Sequence, residues 1–206
     1  MGIKLFQEKA GKLFEIKGGK KFDYEKVIQE LIEKNLSSVF PSLEFVATEE
    51  TMGHDKIRPD SIAFDKDTNA FVIIEYKNIK HHGVLDQGMD YYKLLKENKS
   101  EFVLLYNKKK EKHYGVNDIN WEESRILLIS PEFSKRQIRS SQALPGLTDT
   151  IELYTIRKYE NNIITLTKIE SESESFLPKG NTKKKERTGY NRGLNFSVIQ
   201  EYTEED

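Results

Sequence analysis

The stretch RPDSIAFDKDTNAFVIIEYKN, residues 58–78, decides how the chain is read. Its middle, Lys66-Asp-Thr-Asn69, has turn chemistry and separates two short apolar runs. Phe71-Val-Ile-Ile74 is the continuous apolar run of a buried strand, and it leads directly into Glu75-Tyr-Lys77. The preceding strand is expected over 60–65 and starts at Asp60. Side chains alternate along a strand, so Glu75 and Lys77 leave the same face as Phe71 and Ile73, and Tyr76 leaves the other. An antiparallel hairpin through the 66–69 turn sets the start of the first strand beside the end of the second. Asp60 and Glu75 are then neighbours across the pair.

Two carboxylates held close repel one another at neutral pH. A divalent cation removes that cost, and Mg2+ in particular is held by one or two carboxylates while keeping several waters and taking phosphate oxygens. A bound metal lowers the pKa of its water and polarises a phosphoryl oxygen. A neighbouring lysine counters charge that develops in the transition state. The grouping therefore suits metal-assisted hydrolysis of a phosphodiester. Asp60 and Glu75 are the expected ligands of Mg2+ or Mn2+, and Lys77 the group that positions the attacking water. The plainer alternative is an exposed ion pair at a strand end, worth at most about 1 kcal/mol.

Outward from this stretch, runs at 3–7 and 12–16 predict a β-hairpin, and Gly18-Gly19 a break in the chain. A helix is predicted over 24–39, with Asp23 as N-cap, from the spacing of Val27, Ile28, Leu31, Ile32 and Leu36. Strands are expected at 43–49, 60–65, 71–77, 101–106 and 125–130, with an amphipathic helix over 85–96 and a further helix over 131–141. A lysine-rich loop, 108–112, follows the strand at 101–106, and two late strands, 150–159 and 163–169, flank a turn. The order is α/β, built around a β-meander. From Glu170 the composition shifts to alternating Glu and Ser and then to a basic, Gly-containing segment. The expected organisation is one domain over 1–169 and a charged linker or tail over 170–206, or the opening of a further domain.

The chain has 206 residues and a formal net charge of −1, so it is not a polyelectrolyte ligand as a whole; nucleic acid must be met by local patches. With no cysteine, disulfide scaffolds, thiolate metal sites and thiol catalysis are excluded. No apolar run nears the roughly 20 residues that cross a bilayer, and the first residues lack a long apolar segment. A soluble cytoplasmic protein is expected.

Pro59-Asp60 followed by Glu75-Tyr-Lys77 resembles the signature of the PD-(D/E)XK nuclease superfamily. The resemblance implies a restriction-endonuclease-like αβββαβ core: a mixed central sheet flanked by helices, here with an N-terminal hairpin and extra C-terminal strands. It implies a helix glutamate before the first core strand, for which Glu33 is the choice and Glu30, one turn earlier, the competitor. It implies a Gln-x-x-x-Tyr motif on the next helix, matched by Gln87-Gly-Met-Asp-Tyr91, where the Gln87 amide orients the metal water or a phosphate. It also implies DNA more than RNA as partner, and homodimers are common among resolvase-like members. A closer similarity, carried over about residues 3–169 by LIEKNL, RPD, IIEYK, QG and EFVLL, is to an uncharacterised prokaryotic family filed as predicted transport proteins, whose members look like a nuclease-type domain followed by a second small domain. The alternative function is a catalytically inactive nucleic-acid-binding or interaction module on the same fold.

Around the core motif, Glu49 reads as a rim residue and Arg58 as either a phosphate contact or a solvated loop charge. His54 and Asp55 read as loop polarity. His81-His82 reads as exposed or substrate-facing rather than metal-binding, because adjacent loop residues seldom point at one ion. Lys108-Lys-Lys110 with Lys112, and Lys183-Lys-Lys185 with Arg187, are basic segments able to add salt-dependent affinity for phosphate. Tyr91 reads as core support.

Overall fold

The computed structural model describes residues 4–20, 22–79, 83–143 and 150–169. The N-terminal hairpin forms as β1 (Leu5–Lys9) and β2 (Lys12–Ile16), a two-stranded sheet of its own that turns through Ala10 and Gly11, both at positive φ. The glycines at 18 and 19 do not simply break the chain. They belong to a short strand, β3 (Gly18–Lys20), and Gly18 lies opposite Tyr159. A Cβ on Gly18 would stand 2.6 Å from the Tyr159 ring, so the close approach needs glycine.

The helix expected over 24–39 is two: α1 (Glu25–Lys34) and the single turn α2 (Leu36–Val39). The break is at Asn35, whose side-chain N–H donates to the Leu31 carbonyl at 2.8 Å. Such local bonding competes with continuation of the helix. The N-cap is Tyr24 rather than Asp23, and no side chain caps it.

The meander follows as β4 (Leu43–Thr48), β5 (Ser61–Asp65) and β6 (Ala70–Tyr76), each antiparallel to the next. Both β5 and β6 are buried along their whole length, which is why β6 reads as an unbroken apolar run. Two helices come next, α3 (Val84–Glu97) and α4 (Lys99–Lys110), then β7 (Arg125–Ser130) parallel to β6. After α5 (Lys135–Ala143), β8 (Ile151–Tyr159) runs parallel to β7, and β9 (Ile164–Lys168) turns back antiparallel to β8. The result is a mixed seven-stranded sheet in the order β3-β8-β7-β6-β5-β4, with β9 on β8. It is the αβββαβ order with a hairpin before it and strands after it.

One element differs in kind from its expectation. Residues 101–106, read as a strand, are the middle of α4. Their apolar run is too short for periodicity to separate a buried strand from a helix. In the fold, Phe102, Val103 and Tyr106 are buried at helical spacing while Leu104 is 68% exposed. The flanking lysines are good helix formers, and Lys108, Lys109 and Lys110 form the last turn, where cations meet the negative end of the helix dipole. The basic loop expected there is therefore helix up to Glu111, which ends it in the left-handed conformation. The parallel strand beside β6 is β7, reached only after this second helix.

Two cores sandwich the sheet. On one face α3 and α4 cover Phe64 and Phe71; Tyr106 stacks on Phe64 at 4.3 Å and Trp121 on Phe71 at 5.6 Å. On the other, Ile28, Ile32 and Leu36 pack against Val72, Ile74, Tyr76, Leu127 and Ile129. Gly88 brings α3 close to the sheet: a Cβ there would meet Ile151 Cδ1 at 3.3 Å and Leu128 Cδ1 at 3.4 Å. That close seat fixes where Gln87 and Tyr91 point. Among the described residues, no helix is long and apolar enough to cross a membrane.

Candidate active site

Ser61 pairs with Ile74, so Asp60 and Glu75 are one step further along the same antiparallel register, where the hairpin leaves the core. They are close enough for the charge of Glu75 to act on Asp60. Asp60 Oδ2 also accepts the backbone N–H of Tyr76 at 3.0 Å. Glu75 is 1% exposed and has both oxygens engaged: Oε1 lies 2.5 Å from the Lys77 ammonium, and Oε2 accepts the Tyr91 hydroxyl at 2.6 Å. Gln87 Nε2 donates to the Tyr91 oxygen at 3.1 Å. The Lys77 backbone N–H donates to the Ile129 carbonyl at 2.8 Å, which pins the strand end to β7. Asp60, Glu75 and Lys77 thus converge, and Gln87 reaches them through Tyr91.

Burial makes this cluster electrostatically expensive. Asp60 is pushed up to about 7, first because burial disfavours its charge and then because Glu75 is negative beside it; the Tyr76 N–H and Lys77 act against the rise. Burial also disfavours the Lys77 ammonium, but its bond to Glu75 and the charges of Glu75, Glu25 and Asp60 outweigh that, and its pKa rises. Lys77 is therefore cationic at neutral pH. Burial and the adjacent Glu75 raise the Tyr91 hydroxyl too, so it stays a hydrogen-bond donor.

The helix glutamates are placed differently from the expectation. Glu33 Oε1 accepts Ser61 Oγ–H at 2.6 Å and Gln29 Nε2–H at 3.0 Å, and Ser61 is in turn hydrogen-bonded to the Tyr76 hydroxyl at 3.2 Å. Its carboxylate is engaged on the Tyr76 side of the sheet, away from the Glu75 face. Glu30 is exposed and pairs with Lys34 at 3.5 Å. The α1 carboxylate that reaches the cluster is Glu25, 3.5 Å from the Lys77 ammonium. No spacing in the sequence marks Glu25. It is brought there because the segment before α1 is tied to the segment after β6, with Asn78 Nδ2 donating to the Asp23 carbonyl at 3.4 Å.

Gln29, also missed, left a sequence signal: it is a polar residue beside Ile28 on the buried side of a helix. It is 3% exposed, and its amide meets Thr48 Oγ1 and the Asp60 carbonyl, each at 2.8 Å. It therefore holds the backbone from which the Asp60 carboxylate projects.

The remaining candidates are rim or lie elsewhere. Glu49 pairs with Lys26 at 2.5 Å and with Arg58 at 3.7 Å, which occupies Arg58. Asp55 pairs with Lys93, Lys109 with Glu50 and Lys110 with Glu44. His54 is exposed. His81, His82 and the tail from 170 onward, with Lys183–Lys185 and Arg187, lie outside the described residues.

The donor set fits a hard dication of modest protein coordination. Among the described residues no group of three or more His, Cys, Asp or Glu side chains is placed to hold a metal. One or two carboxylates are what Mg2+ takes when substrate phosphate and water complete its shell. A calcium-type cage of many protein oxygens does not fit.

No family model matches the chain. It is 35% identical over 210 residues to an uncharacterized protein of Haemophilus influenzae; the alignment covers 99% of this chain and 64% of that protein, so the chain spans less than two thirds of its relative. Among solved structures it is similar to a repair endonuclease from Pyrococcus abyssi, at 14% identity and a TM-score of 0.38, over 66% of this chain and 49% of the other. It is also similar to SfsA of Pyrococcus furiosus in complex with Ca2+, at 12% identity and a TM-score of 0.34, over 80% of this chain and 75% of the other. The EndoMS–dsDNA complex is similar at 15% identity and a TM-score of 0.35, over 64% of this chain and 48% of the other.

Proposed function

We propose that the chain hydrolyses phosphodiester bonds in nucleic acid with the help of Mg2+ or Mn2+, and the resemblance of its motif favours DNA. The observation that carries this reading is the placement of Asp60 and Glu75 opposite one another at the open end of the β5–β6 hairpin, with Lys77 2.5 Å from Glu75. A structural ion-pair network balances its charges. This one holds an excess of buried carboxylate at the cost of raising Asp60 to about 7, which is the kind of perturbation functional sites carry.

In this reading Asp60 and Glu75 hold the metal, which when bound polarises the phosphoryl group and acidifies water. Lys77, cationic and anchored to β7 through its backbone, holds the attacking water and offsets charge on the phosphoryl oxygens as the P–O bond to water forms and the P–O bond to the leaving sugar breaks. Glu25 keeps the ammonium directed toward the pair when Glu75 turns to its ligand role. Tyr91 fixes the Glu75 carboxylate, and Gln87 fixes Tyr91. Glu33 acts on this site only through Gln29 and Ser61.

A second reading, a noncatalytic nucleic-acid-binding module, is favoured by one observation: both Glu75 oxygens are already engaged, by Lys77 and Tyr91. Incubating the chain and Lys77→Ala with mixed DNA and RNA substrates in Mn2+ separates the two. Cleavage by the native chain that disappears in the variant supports hydrolysis. Equal degradation by both, or none by either, removes the catalytic assignment.

A further inference from the structure

Next to the cluster lies a feature the proposed chemistry does not use. Asn78 and Ile79, which follow Lys77 directly, line a cavity of about 590 Å3 beyond the carboxyl ends of the parallel strands β6 and β7. Ligands of open α/β sheets commonly bind at this end of the strands. The far wall is the continuation of β8 past β7, carrying Arg157 and Lys158, and the N-terminal hairpin adds Lys4. Phe22 and Ile156 supply apolar wall between them.

Three of its lining residues, Lys4, Arg157 and Lys158, are cations. Among the described residues Lys4, Arg157 and Lys158 make no ion pair; Lys158 instead sits over the Phe22 ring, 5.8 Å from its centre. Glu15 and Glu132 also line the cavity, so cations exceed carboxylates by one. Unpaired cations along a trough that begins one residue from Lys77 complement a phosphate backbone running on from the cleaved bond. The size decides its form. Pockets of roughly 300–1,000 Å3 enclose a single drug-sized group, whereas a duplex presents grooves about 6 and 12 Å wide on a much larger cylinder.

We infer that this cavity takes one unpaired strand of the nucleic acid, with Arg157, Lys158 and Lys4 on its phosphates, so that the substrate has a single-stranded segment beside the scissile bond. This rests on the active-site reading above, but its test is separable.

The measurement is fluorescence anisotropy of labelled oligothymidylate, alone and annealed to oligoadenylate, over a salt series with Ca2+ in place of Mg2+. The native chain should prefer the single strand. Arg157→Ala with Lys158→Ala should weaken single-strand binding about tenfold and reduce the salt slope by about 1.4, at about 0.7 for each phosphate that is no longer neutralised. Duplex binding should change much less. Unchanged single-strand affinity and slope, or an equal loss on the duplex, overturns the inference. Lys4→Ala, on the separate hairpin, gives an independent test should the double variant not fold, with an expected slope change of about 0.7. Lys77→Ala keeps the two readings apart: it should lower cleavage in Mn2+ at least about 100-fold and leave the preference for the single strand over the duplex in place. Cavity variants that lose single-strand binding in a chain that never cleaves sink the active-site reading alone. Lys77-dependent cleavage with strand binding indifferent to the cavity cations sinks this inference alone.

Discussion

Two aspartates bracket β5, and their surroundings drive them in opposite directions. Asp65, at the end of the strand, is buried, yet its pKa is lowered: burial works against its charge, but the Arg125 guanidinium at 2.6 Å and the backbone N–H groups of Asp67 and Thr68 outweigh it. Arg125 also faces Glu152, which pairs with Lys168. Charges alternate, and the network ties β5, β7, β8 and β9 together. Asp60, just before the strand, meets another carboxylate instead and is raised to about 7. Burial is common to both carboxylates; what separates them is whether the neighbouring charges balance.

The largest expected effect is at the unbalanced end. Lys77→Ala should lower the cleavage rate at least about 100-fold, the usual cost of losing one charge-stabilising donor, in a single-turnover assay. At the balanced end, Arg125→Ala should leave Asp65 buried without its partner. It should cost about 3 kcal/mol in urea unfolding and barely alter cleavage per folded molecule. A comparable loss of cleavage there would erase the distinction between the two ends.

The two aspartates also predict opposite pH behaviour. Asp65 is lowered, so its contribution to stability is present above the ordinary aspartate value and is lost as pH falls through its folded pKa. Asp60 is raised from 3.8 to about 7, so the fold favours its protonated form, and stability is lost as pH rises between those values. Asp60→Asn should therefore stabilise the metal-free chain by about 2 kcal/mol at pH 8 and little at pH 4, after allowing for solvent access to the site. A thermal-melt series in EDTA reads this directly, and a variant less stable than the native chain at pH 8 would contradict it.

Smaller effects sharpen the roles around the pair. Tyr91→Phe removes the hydroxyl that holds Glu75. It should lower kcat about tenfold with little change in KM, corresponding to about 1.4 kcal/mol. The smallest change is expected for Glu33→Gln, which retains an acceptor for Ser61 and should shift cleavage by less than about 0.5 kcal/mol on the activation scale. A loss there as large as that for Lys77→Ala would restore Glu33 to the metal environment.

The β5–β6 hairpin was legible because its information is local. A turn at 66–69 and the alternation of side chains are enough to set Asp60 beside Glu75 and Lys77. The segment at 101–106 was not, because a six-residue apolar run satisfies both periods, and only the surface it packs against selects helix. The Gln-x-x-x-Tyr spacing put Gln87 and Tyr91 on one helical face, but which of them touches Glu75 depended on how deeply Gly88 lets α3 sit.

By itself, then, the sequence determined the meander, the residues at its open end and the chemistry those residue types suit, since backbone periodicity and turn preference act over a few positions. Only the tertiary structure decided that Glu25 rather than Glu33 reaches Lys77, that Asp60 takes up a proton near neutrality, and that a trough with unpaired cations begins beside the cluster. Each of these follows from desolvation and proximity among groups far apart in the chain, and neither quantity exists until the sheet and its helices have packed.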